Sequence, residues 1–484
     1  MKKMFLRIAS FIMAGVICTG LAGCGGNSET SGGETEVPTL TWMIPGDKQE
    51  DIQSVLAEVN KITEAKIGAK LDIQFIDTGA FTERMTMNMA GGNEFDLCFT
   101  GYVNPYQQSV KRGGLLELDS YIEGSSLKDA LPQYAFDAGK IGDSIYAIPN
   151  LQIMTECTGL GIRKDLAEKY NLDVSTIKSL EDIEPFLEQV KQNETGVYPF
   201  RTGKYGGGEK NDGVFRETLT SGTSAWIDEN GEIQVVPVTE LESFEYSPSL
   251  LRSWFEKGYI RSDVASVVDD TEDGNAGKFA VWRCAYKPGV EAEFNSTNSY
   301  EAIIIPISEP KMSNGSGVAA MTAIGRKSKN PDLAFKMIEL VNTDVELYNL
   351  LCFGIEGKHY NLDETGKVVY IDGSGYAPKA SWKFGNQFNA LLLPGQSDDV
   401  WEVTKQFNEG AKKSSFLGFV FDVEPVRTEV AQIATVQGKY KSLSTGAEPL
   451  ENYIDDYKAD LKTAGVEKVC AELKSQLDAW YASK

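Results

Sequence analysis

Cys24 is the residue whose surroundings point most directly to a chemical reaction. It ends the sequence Leu21-Ala22-Gly23-Cys24, which follows three basic residues and an apolar segment at 8–20. That segment is too short to span a bilayer comfortably and is typical of a signal peptide. Leu21-Ala22-Gly23-Cys24 resembles a bacterial lipobox, which implies that residues 1–23 are removed and that the Cys24 thiol then carries a diacylglyceryl group. Two acyl chains give stable membrane anchoring. The alternative is an ordinary signal peptide followed by an incidental cysteine.

Side chains that could do other chemistry are sparse. His359 is the only histidine, which excludes His-rich metal sites and any mechanism that needs two imidazoles. The cysteines beyond the N-terminus are odd in number, far apart and without a C-x-x-C pair, so neither a zinc site nor a disulfide framework is expected. Phosphate-loop and nucleophile-elbow motifs are missing. We predict no catalytic residues, no cofactor and no metal.

Length and charge narrow the classes of protein further. The chain has 484 residues, of which 42% are hydrophobic and 24% charged, as in soluble globular proteins. Such a length favours two lobes or domains over one core. Lys and Arg total 47 against 70 Asp and Glu, a net charge of −23, so nucleic acid is an unfavourable partner. Residues 24–38 are rich in Gly, Ser, Thr and Glu and predict a flexible tether.

The body of the chain alternates between strand and helix patterns. An apolar run at 40–44 is followed by a helical stripe within 47–65, alternation at 71–75 and a buried strand at 95–99. This β-α-β order predicts α/β architecture, in which ligands bind beyond the C-terminal ends of the strands. At the other end of the chain, residues 466–480 carry apolar side chains at helical spacing, which predicts a packed C-terminal helix.

Several segments, taken in order, resemble the family 1 extracellular solute-binding proteins of ABC importers. The segments are 93–97 (NEFDL), 115–119 (LLELD), 145–150 (IYAIPN) and 328–334 (SKNPDLA). Three more resemble the LipO-like lipoprotein branch of that family: 353–360 (FGIEGKHY), 382–386 (WKFGN) and 418–422 (GFVFD). The resemblance covers nearly the whole mature chain. It implies a two-lobed periplasmic-binding-protein-like fold, each lobe a helix-covered sheet, with a helical C-terminal extension.

On this basis we expect residues 39–150 plus 311–345 to form lobe 1, and 151–310 plus 346–484 to form lobe 2 with the C-terminal extension. The family implies an inter-lobe cleft for sugars, which stack their apolar faces on aromatic rings and hydrogen-bond through their hydroxyls. Aromatic and polar residues at strand ends, in loops and at the lobe crossing are therefore the candidate ligand-binding residues: Trp42, Thr100, Tyr102, Asn150, Gln152, Trp226, Trp282, Tyr286, Trp382 and Asn386.

The resemblance implies a function in transport. We expect a lipid-anchored binding component on the extracellular face of a bacterial membrane, which captures an oligosaccharide and delivers it to ABC permease subunits. It would be a monomer and not an enzyme. Two alternatives stay open: a binding protein for peptides or another polar solute, and a cell-surface glycoside hydrolase, for which 70 acidic residues always supply carboxylate pairs.

Overall fold

The computed structural model describes residues 37–92, 94–202, 213–267, 269–451 and 453–484. The predicted signal peptide, Cys24 and most of the predicted tether lie outside these residues. None of the helices within the described ranges is both long and apolar enough to cross a bilayer.

The first passage of the chain alternates strands and short helices, as its pattern predicts. Its elements are β1 (Thr39–Pro45), α1 (Ile52–Ile67), β2 (Lys70–Ile76), α2 (Thr78–Gly91), β3 (Leu97–Gly101), α3 (Tyr106–Lys111), α4 (Asp119–Glu123), α5 (Leu127–Ala130), α6 (Gln133–Gly139), β4 (Lys140–Ile141), β5 (Ser144–Ile145) and β6 (Ala147–Pro149). β1 pairs in parallel with β2 on one side and β3 on the other. Leu40, Trp42 and Ile44 of β1 enter one core and Met43 enters another, because successive side chains of a strand face opposite ways.

The second passage forms a sheet of its own. Its elements are β7 (Thr158–Arg163), α7 (Lys164–Lys169), α8 (Glu184–Asn193), β8 (Tyr198–Arg201), β9 (Thr223–Ile227), β10 (Ile233–Pro237), α9 (Tyr246–Glu256), α10 (Thr271–Asn275), β11 (Phe279–Ala285), α11 (Val290–Thr297) and β12 (Ala302–Pro306). The sheet order is β12-β7-β11-β8, and β9 and β10 make a separate antiparallel hairpin. Side chains of β7, α8, α9 and β11 fill a second core beneath this sheet.

The third passage returns to the first sheet. Its elements are β13 (Lys311–Met312), β14 (Ala320–Ile324), α12 (Pro331–Thr343), α13 (Val345–Phe353), β15 (Tyr360–Leu362), β16 (Val368–Tyr370) and α14 (Val400–Glu409), with 3₁₀ turns at Ser381–Lys383 and Gln387–Asn389. β14 inserts antiparallel between β3 and β6, giving the order β2-β1-β3-β14-β6. Buried side chains of α12 and α13 join those of β1 and α1 in what we call the first core.

The fourth passage is mainly helical. It comprises β17 (Lys412–Lys413), α15 (Arg427–Lys439), α16 (Tyr453–Thr463) and α17 (Val466–Ala482). Leu473 and Leu477 of α17 pack against Ala225 of β9 and Ile233 of β10, so the C-terminal helices cover the β9–β10 hairpin. The apolar stripe of α17 is buried at the positions that its helical spacing predicts.

The passages meet in a narrow ribbon of backbone, which we call the crossing ribbon (residues 156, 310–312 and 412–414). Glu156 and Lys311 exchange both backbone hydrogen bonds, at N···O distances of 2.7 and 2.9 Å. The N–H groups of Lys412 and Ser414 donate to the carbonyls of Pro310 and Met312, at 3.1 and 2.9 Å. The chain therefore passes between its two sheet-containing parts three times, side by side.

Two buried asparagines link the chain segments that flank the ribbon. The Asn408 amide accepts from Met154 N at 2.9 Å and donates to the Gln152 carbonyl at 2.6 Å. The Asn314 amide donates to the Phe419 carbonyl at 2.7 Å and accepts from Gly418 N at 3.0 Å. An amide suits this position because it can satisfy a backbone donor and a backbone acceptor at once.

The residue bounds of the two lobes stay a prediction, and one observation bears on them. Buried side chains between residues 347 and 390, which the prediction assigns to lobe 2, pack in the first core. The reason is the third crossing at 412–414, which the sequence pattern does not predict.

Candidate functional site

The carboxyl ends of β1 and β3 meet at one edge of the first sheet. β1 ends at Pro45, whose carbonyl accepts a hydrogen bond of 2.7 Å from Lys383 Nζ. Burial of this ammonium lowers the pKa of Lys383 from its ordinary value. β3 ends at Gly101, where φ is +141° and a Cβ atom would lie 2.2 Å from the Ala319 carbonyl oxygen, so only glycine fits. Open α/β sheets bind ligands at this kind of edge.

Two candidate residues come together here, and we call them the aromatic pair. The centroids of the Tyr102 and Trp382 rings lie 5.6 Å apart. Both rings pack edgewise on buried Phe99, at 6.0 and 5.9 Å. Tyr102 is 59% exposed, an unusual degree for a tyrosine in an aromatic cluster. The pair therefore presents apolar ring surface to solvent on a rigid support.

Asn150 holds the backbone of the loop that carries Trp382. Its Nδ2 donates to the backbone carbonyls of Trp382 and Lys383, at 3.2 and 2.8 Å, and its Oδ1 accepts from Thr322 Oγ1 at 2.9 Å. Because Asn150 is buried and its amide is engaged on both sides, the structure makes it a positioning residue for the loop that carries Trp382.

Two other polar candidates also use their side chains within the fold. Thr100 is fully buried and its Oγ1 donates to the Asn104 carbonyl at 2.7 Å. Asn386 is largely buried and its Oδ1 accepts from Phe388 N at 3.1 Å, which caps a short 3₁₀ turn. Both shape the loops around the aromatic pair.

The remaining candidates do not gather around the pair. The indole of Trp42 is fully buried in the first core. Trp282 is largely buried and stacks on Phe294 with a centroid distance of 5.2 Å, and Tyr286 is half-buried in the same cluster. Gln152 is half-buried beside the first crossing, where its carbonyl receives the bond from Asn408. Ligand contact by Trp42 or Trp282 has no support from this placement, because neither presents an open ring face.

A cavity of about 810 Å³ lies against the crossing ribbon, and we call it the crossing cavity. It is lined by Gln107 of α3 and by residues of the second passage and the ribbon: 155–158, 178–180, 214–219, 246, 283–285, 307–309, 311 and 313–315. Its size is within the range of small-molecule sites. Four basic and three acidic side chains line it, so it is strongly polar without a dominant charge: Lys178, Arg216, Arg283, Lys311, Glu156, Glu217 and Glu309.

None of the ligand-binding residues predicted from the sequence lines this cavity. Arg283 lines it, and Arg283 Nη2 is 3.5 Å from Thr158 Oγ1. Tyr246 lines it too, and burial together with a hydrogen bond to Glu181 raises the pKa of the Tyr246 hydroxyl. The one available signal was strand alternation, since Trp282 faces a core and its neighbour Arg283 must then face the other side.

Trp226 lies in a second, smaller cavity, which we call the Trp226 cavity. It measures about 510 Å³ and is formed by residues 213–215 and 217, 226–230 and 412–416. The candidate residues thus divide between the aromatic pair, the Trp226 cavity and the cores. Within the described ranges, no group of three or more His, Cys, Asp or Glu side chains is placed to hold a metal ion.

Comparison with known proteins assigns the fold to a family. The family model for bacterial extracellular solute-binding proteins matches residues 46–346, and a domain of unknown function (DUF3502) matches residues 415–482.

The chain belongs to the bacterial extracellular solute-binding protein family.

A carbohydrate ABC transporter substrate-binding protein of Streptococcus pneumoniae is 29% identical to this solute-binding protein, over 100% of this chain and 99% of the relative. The crystal structure of the N-glycan transport solute binding protein (NgtS) from Streptococcus pneumoniae superposes with a TM-score of 0.82 at 27% identity, covering 92% of this chain and 99% of that one. The same protein in complex with Man5GlcNAc gives a TM-score of 0.69, with the same coverage. The predicted family and the two-lobed α/β fold with C-terminal helices are confirmed.

Glu217 is the buried carboxyl group that joins both cavities to the crossing ribbon. It is 8% exposed, and it accepts hydrogen bonds from Asn314 N at 2.7 Å and from Ser414 Oγ. Burial raises the pKa of Glu217 above its ordinary value of 4.5, and the charge of Glu156 adds to the effect, while the two hydrogen bonds oppose it.

This raised pKa predicts a pH-dependent stability difference between the wild type and Glu217→Gln. A raised pKa means that the folded protein binds the proton more tightly than the unfolded chain does. The contribution is therefore favourable below pH 4.5 and is lost as the pH rises through the folded pKa. We expect the unfolding free energy of the wild type to fall, relative to Glu217→Gln, between about pH 4 and about pH 7. Urea denaturation at both pH values measures it.

The matched control is Glu229→Gln, which removes an exposed carboxyl group from the wall of the Trp226 cavity. It should track the wild type at both pH values. An unfolding free energy of the wild type that stays constant or rises relative to that of Glu217→Gln between these two pH values would contradict the assignment of a raised pKa to Glu217.

Proposed function

We propose that this chain is the substrate-binding component of a bacterial ABC importer and that it captures an oligosaccharide. The observation that carries the proposal is end-to-end similarity, 29% identity over the whole chain, to a carbohydrate ABC transporter substrate-binding protein. The NgtS structures support the same class of ligand, since that protein is crystallised with Man1GlcNAc and with Man5GlcNAc.

In this proposal the aromatic pair and the crossing cavity contact different parts of the sugar. The exposed Tyr102–Trp382 surface suits the apolar C–H face of a sugar ring, which aromatic side chains recognise by stacking. The polar lining of the crossing cavity suits hydroxyl groups. Gln107 links the two, because α3 begins four residues after Tyr102 and contributes Gln107 to the cavity. An oligosaccharide is long enough to contact both.

Capture would occur by rotation of the two parts about the crossing ribbon. A few backbone hydrogen bonds hold the three crossing segments of the ribbon together, and Met312 of the ribbon is buried in the first core. Rotation there would leave most of each core packed. The lower TM-score to the NgtS–Man5GlcNAc complex supports an arrangement that changes with ligand in this family. The bound sugar would then pass to permease subunits, with ATP hydrolysed by a separate subunit. In this scheme the protein acts as a monomer, without a cofactor and without catalysis.

Attachment to the membrane belongs to the same proposal. A diacylglyceryl group on Cys24 would hold the protein on the extracellular face, and residues 24–38 would give it reach above the bilayer.

An oligosaccharide panel that includes Man1GlcNAc and Man5GlcNAc tests the proposed function. Binding by titration calorimetry, a higher melting temperature with ligand and unchanged glycans after long incubation would support it. Cleaved glycans would indicate a glycoside hydrolase instead. Binding of peptides and of no glycan would indicate the peptide-binding alternative.

Replacement of Trp382 by alanine should weaken ligand binding more than it weakens the fold. Aromatic contacts contribute about 0.5–1.5 kcal/mol beyond the area that they bury, and about 1.4 kcal/mol is tenfold in affinity. Because the substitution also removes buried contact area, we expect glycan affinity to fall roughly tenfold or more. Since Trp382 is only half-buried, its loss should cost less stability than the 3–5 kcal/mol typical of a core tryptophan.

Calorimetry and a denaturant melt on the same Trp382→Ala protein give both quantities. Trp480→Ala is the matched control, since Trp480 is also half-buried but packs on Phe419 in the C-terminal extension. Unchanged glycan affinity in Trp382→Ala, or equal losses in both variants, would remove the aromatic pair from the binding site.

Replacement of Cys24 by serine should separate the anchor from the fold. A serine hydroxyl cannot form the thioether to a diacylglyceryl group, so we expect the protein to leave the membrane fraction or to accumulate unprocessed. Fractionation with immunoblotting measures this, and the buried Cys352→Ser serves as the control. A Cys24→Ser protein that is processed normally and stays with the membrane would refute the lipoprotein assignment.

A further inference from the structure

We propose that the Trp226 cavity holds the distal sugar units of a long oligosaccharide and so makes binding depend on chain length. The inference rests on the proposed function, because it extends the glycan site from the crossing cavity into the neighbouring one.

The two cavities lie side by side along the segment 213–217. Val214, Phe215 and Glu217 line both of them. Arg216 lines the crossing cavity and Trp226 lines the smaller one, yet the guanidinium lies only 5.2 Å from the indole centroid. A single layer of side chains therefore separates the two spaces, so a glycan that extends from the first cavity past this layer would enter the second.

The wall between the cavities is fixed to the crossing ribbon. Lys311 Nζ lies 5.4 Å from the centroid of the Phe215 ring. Lys412 Nζ donates to the Gly213 carbonyl at 3.1 Å, and Glu217 binds Asn314 N and Ser414. The wall thus contacts the second and third crossings, which hold it in place between the two cavities.

The chemistry of the Trp226 cavity suits a sugar. Trp226 is half-buried and offers the part of its indole that Arg216 does not cover. Polar groups surround it on the β9–β10 turn, on Lys412 and Lys413 and on Ser415. An aromatic surface bordered by hydrogen-bonding groups is the arrangement that binds a pyranose ring, while a purely apolar ligand would strand these polar groups.

The turn that carries these groups is held in place before ligand arrives. Asp228 Oδ1 accepts hydrogen bonds from the N–H groups of Asn230 and Glu232, each at 2.9 Å. Asp228 Oδ2 accepts from Gln234 Nε2 at 2.8 Å. A rigid rim lowers the entropy cost of binding, which favours recognition over simple surface contact.

The decisive experiment compares two glycans that differ in size, Man1GlcNAc and Man5GlcNAc, by titration calorimetry. For Trp226→Ala we expect the affinity for Man5GlcNAc to fall about three- to tenfold, as for the loss of one aromatic contact, and the affinity for Man1GlcNAc to stay within about twofold. Trp226→Phe should recover most of the Man5GlcNAc affinity. Trp401→Ala, a half-buried tryptophan that lines neither cavity, should leave the ratio of the two affinities unchanged.

A second variant reaches the same cavity without touching Trp226. Ser415 is exposed on its wall, and Ser415→Trp would fill the space with the fold intact. We expect the same selective loss of Man5GlcNAc affinity. Ser415→Trp therefore tests the proposal even if Trp226→Ala does not fold.

Equal losses for both glycans, or no loss for either, in a wild type that binds them would overturn the length-selection proposal and leave the proposed function standing. A wild type that binds neither glycan would also overturn it, and the wider panel then decides the proposed function separately.

Discussion

The crossing ribbon is the constraint on which the rest of the structure depends. The chain crosses three times between two separately packed cores, and each crossing segment has backbone groups that need hydrogen-bond partners. They satisfy one another by lying side by side, with residues 310–312 in the middle. Asn408 and Asn314 then tie the ribbon to the first and fourth passages. Because the ribbon places few side chains in either core, with Met312 buried in the first, the proposed rotation would leave most of each core packed.

The position of the ribbon explains where the candidate site lies. The ribbon forms part of the wall of the crossing cavity, and α3, which begins four residues after Tyr102, adds Gln107 to the same wall. The loops that carry these rings are held by side-chain hydrogen bonds from Asn150, Thr100 and Asn386 to backbone groups. The candidate binding surface is therefore made of side chains on rigid supports, and the polar residues closest in sequence to the rings act as those supports.

Local patterns predict the elements better than they predict the site. The alternation in β1 and the helical stripe in α17 depend only on burial, which the sequence records directly. Trp42 is predicted to bind ligand yet lies in the first core, because alternation along a strand does not show whether a given face meets the core or the ligand cleft. Arg283 was missed because a lone arginine on a strand carries no pattern of its own. The third crossing passes through Lys412 and Lys413, whose exposed side chains give no apolar signal at all.

Small-angle X-ray scattering tests whether the protein closes about the crossing ribbon when it captures its ligand. Scattering from the lipid-free protein should be recorded with and without saturating Man5GlcNAc, with calorimetry confirming that the site is filled. Because closure of the two lobes brings mass toward the centre of the molecule, we expect a smaller radius of gyration with ligand than without it. A protein that binds the glycan and yet gives superimposable scattering curves would contradict it and indicate a rigid pocket.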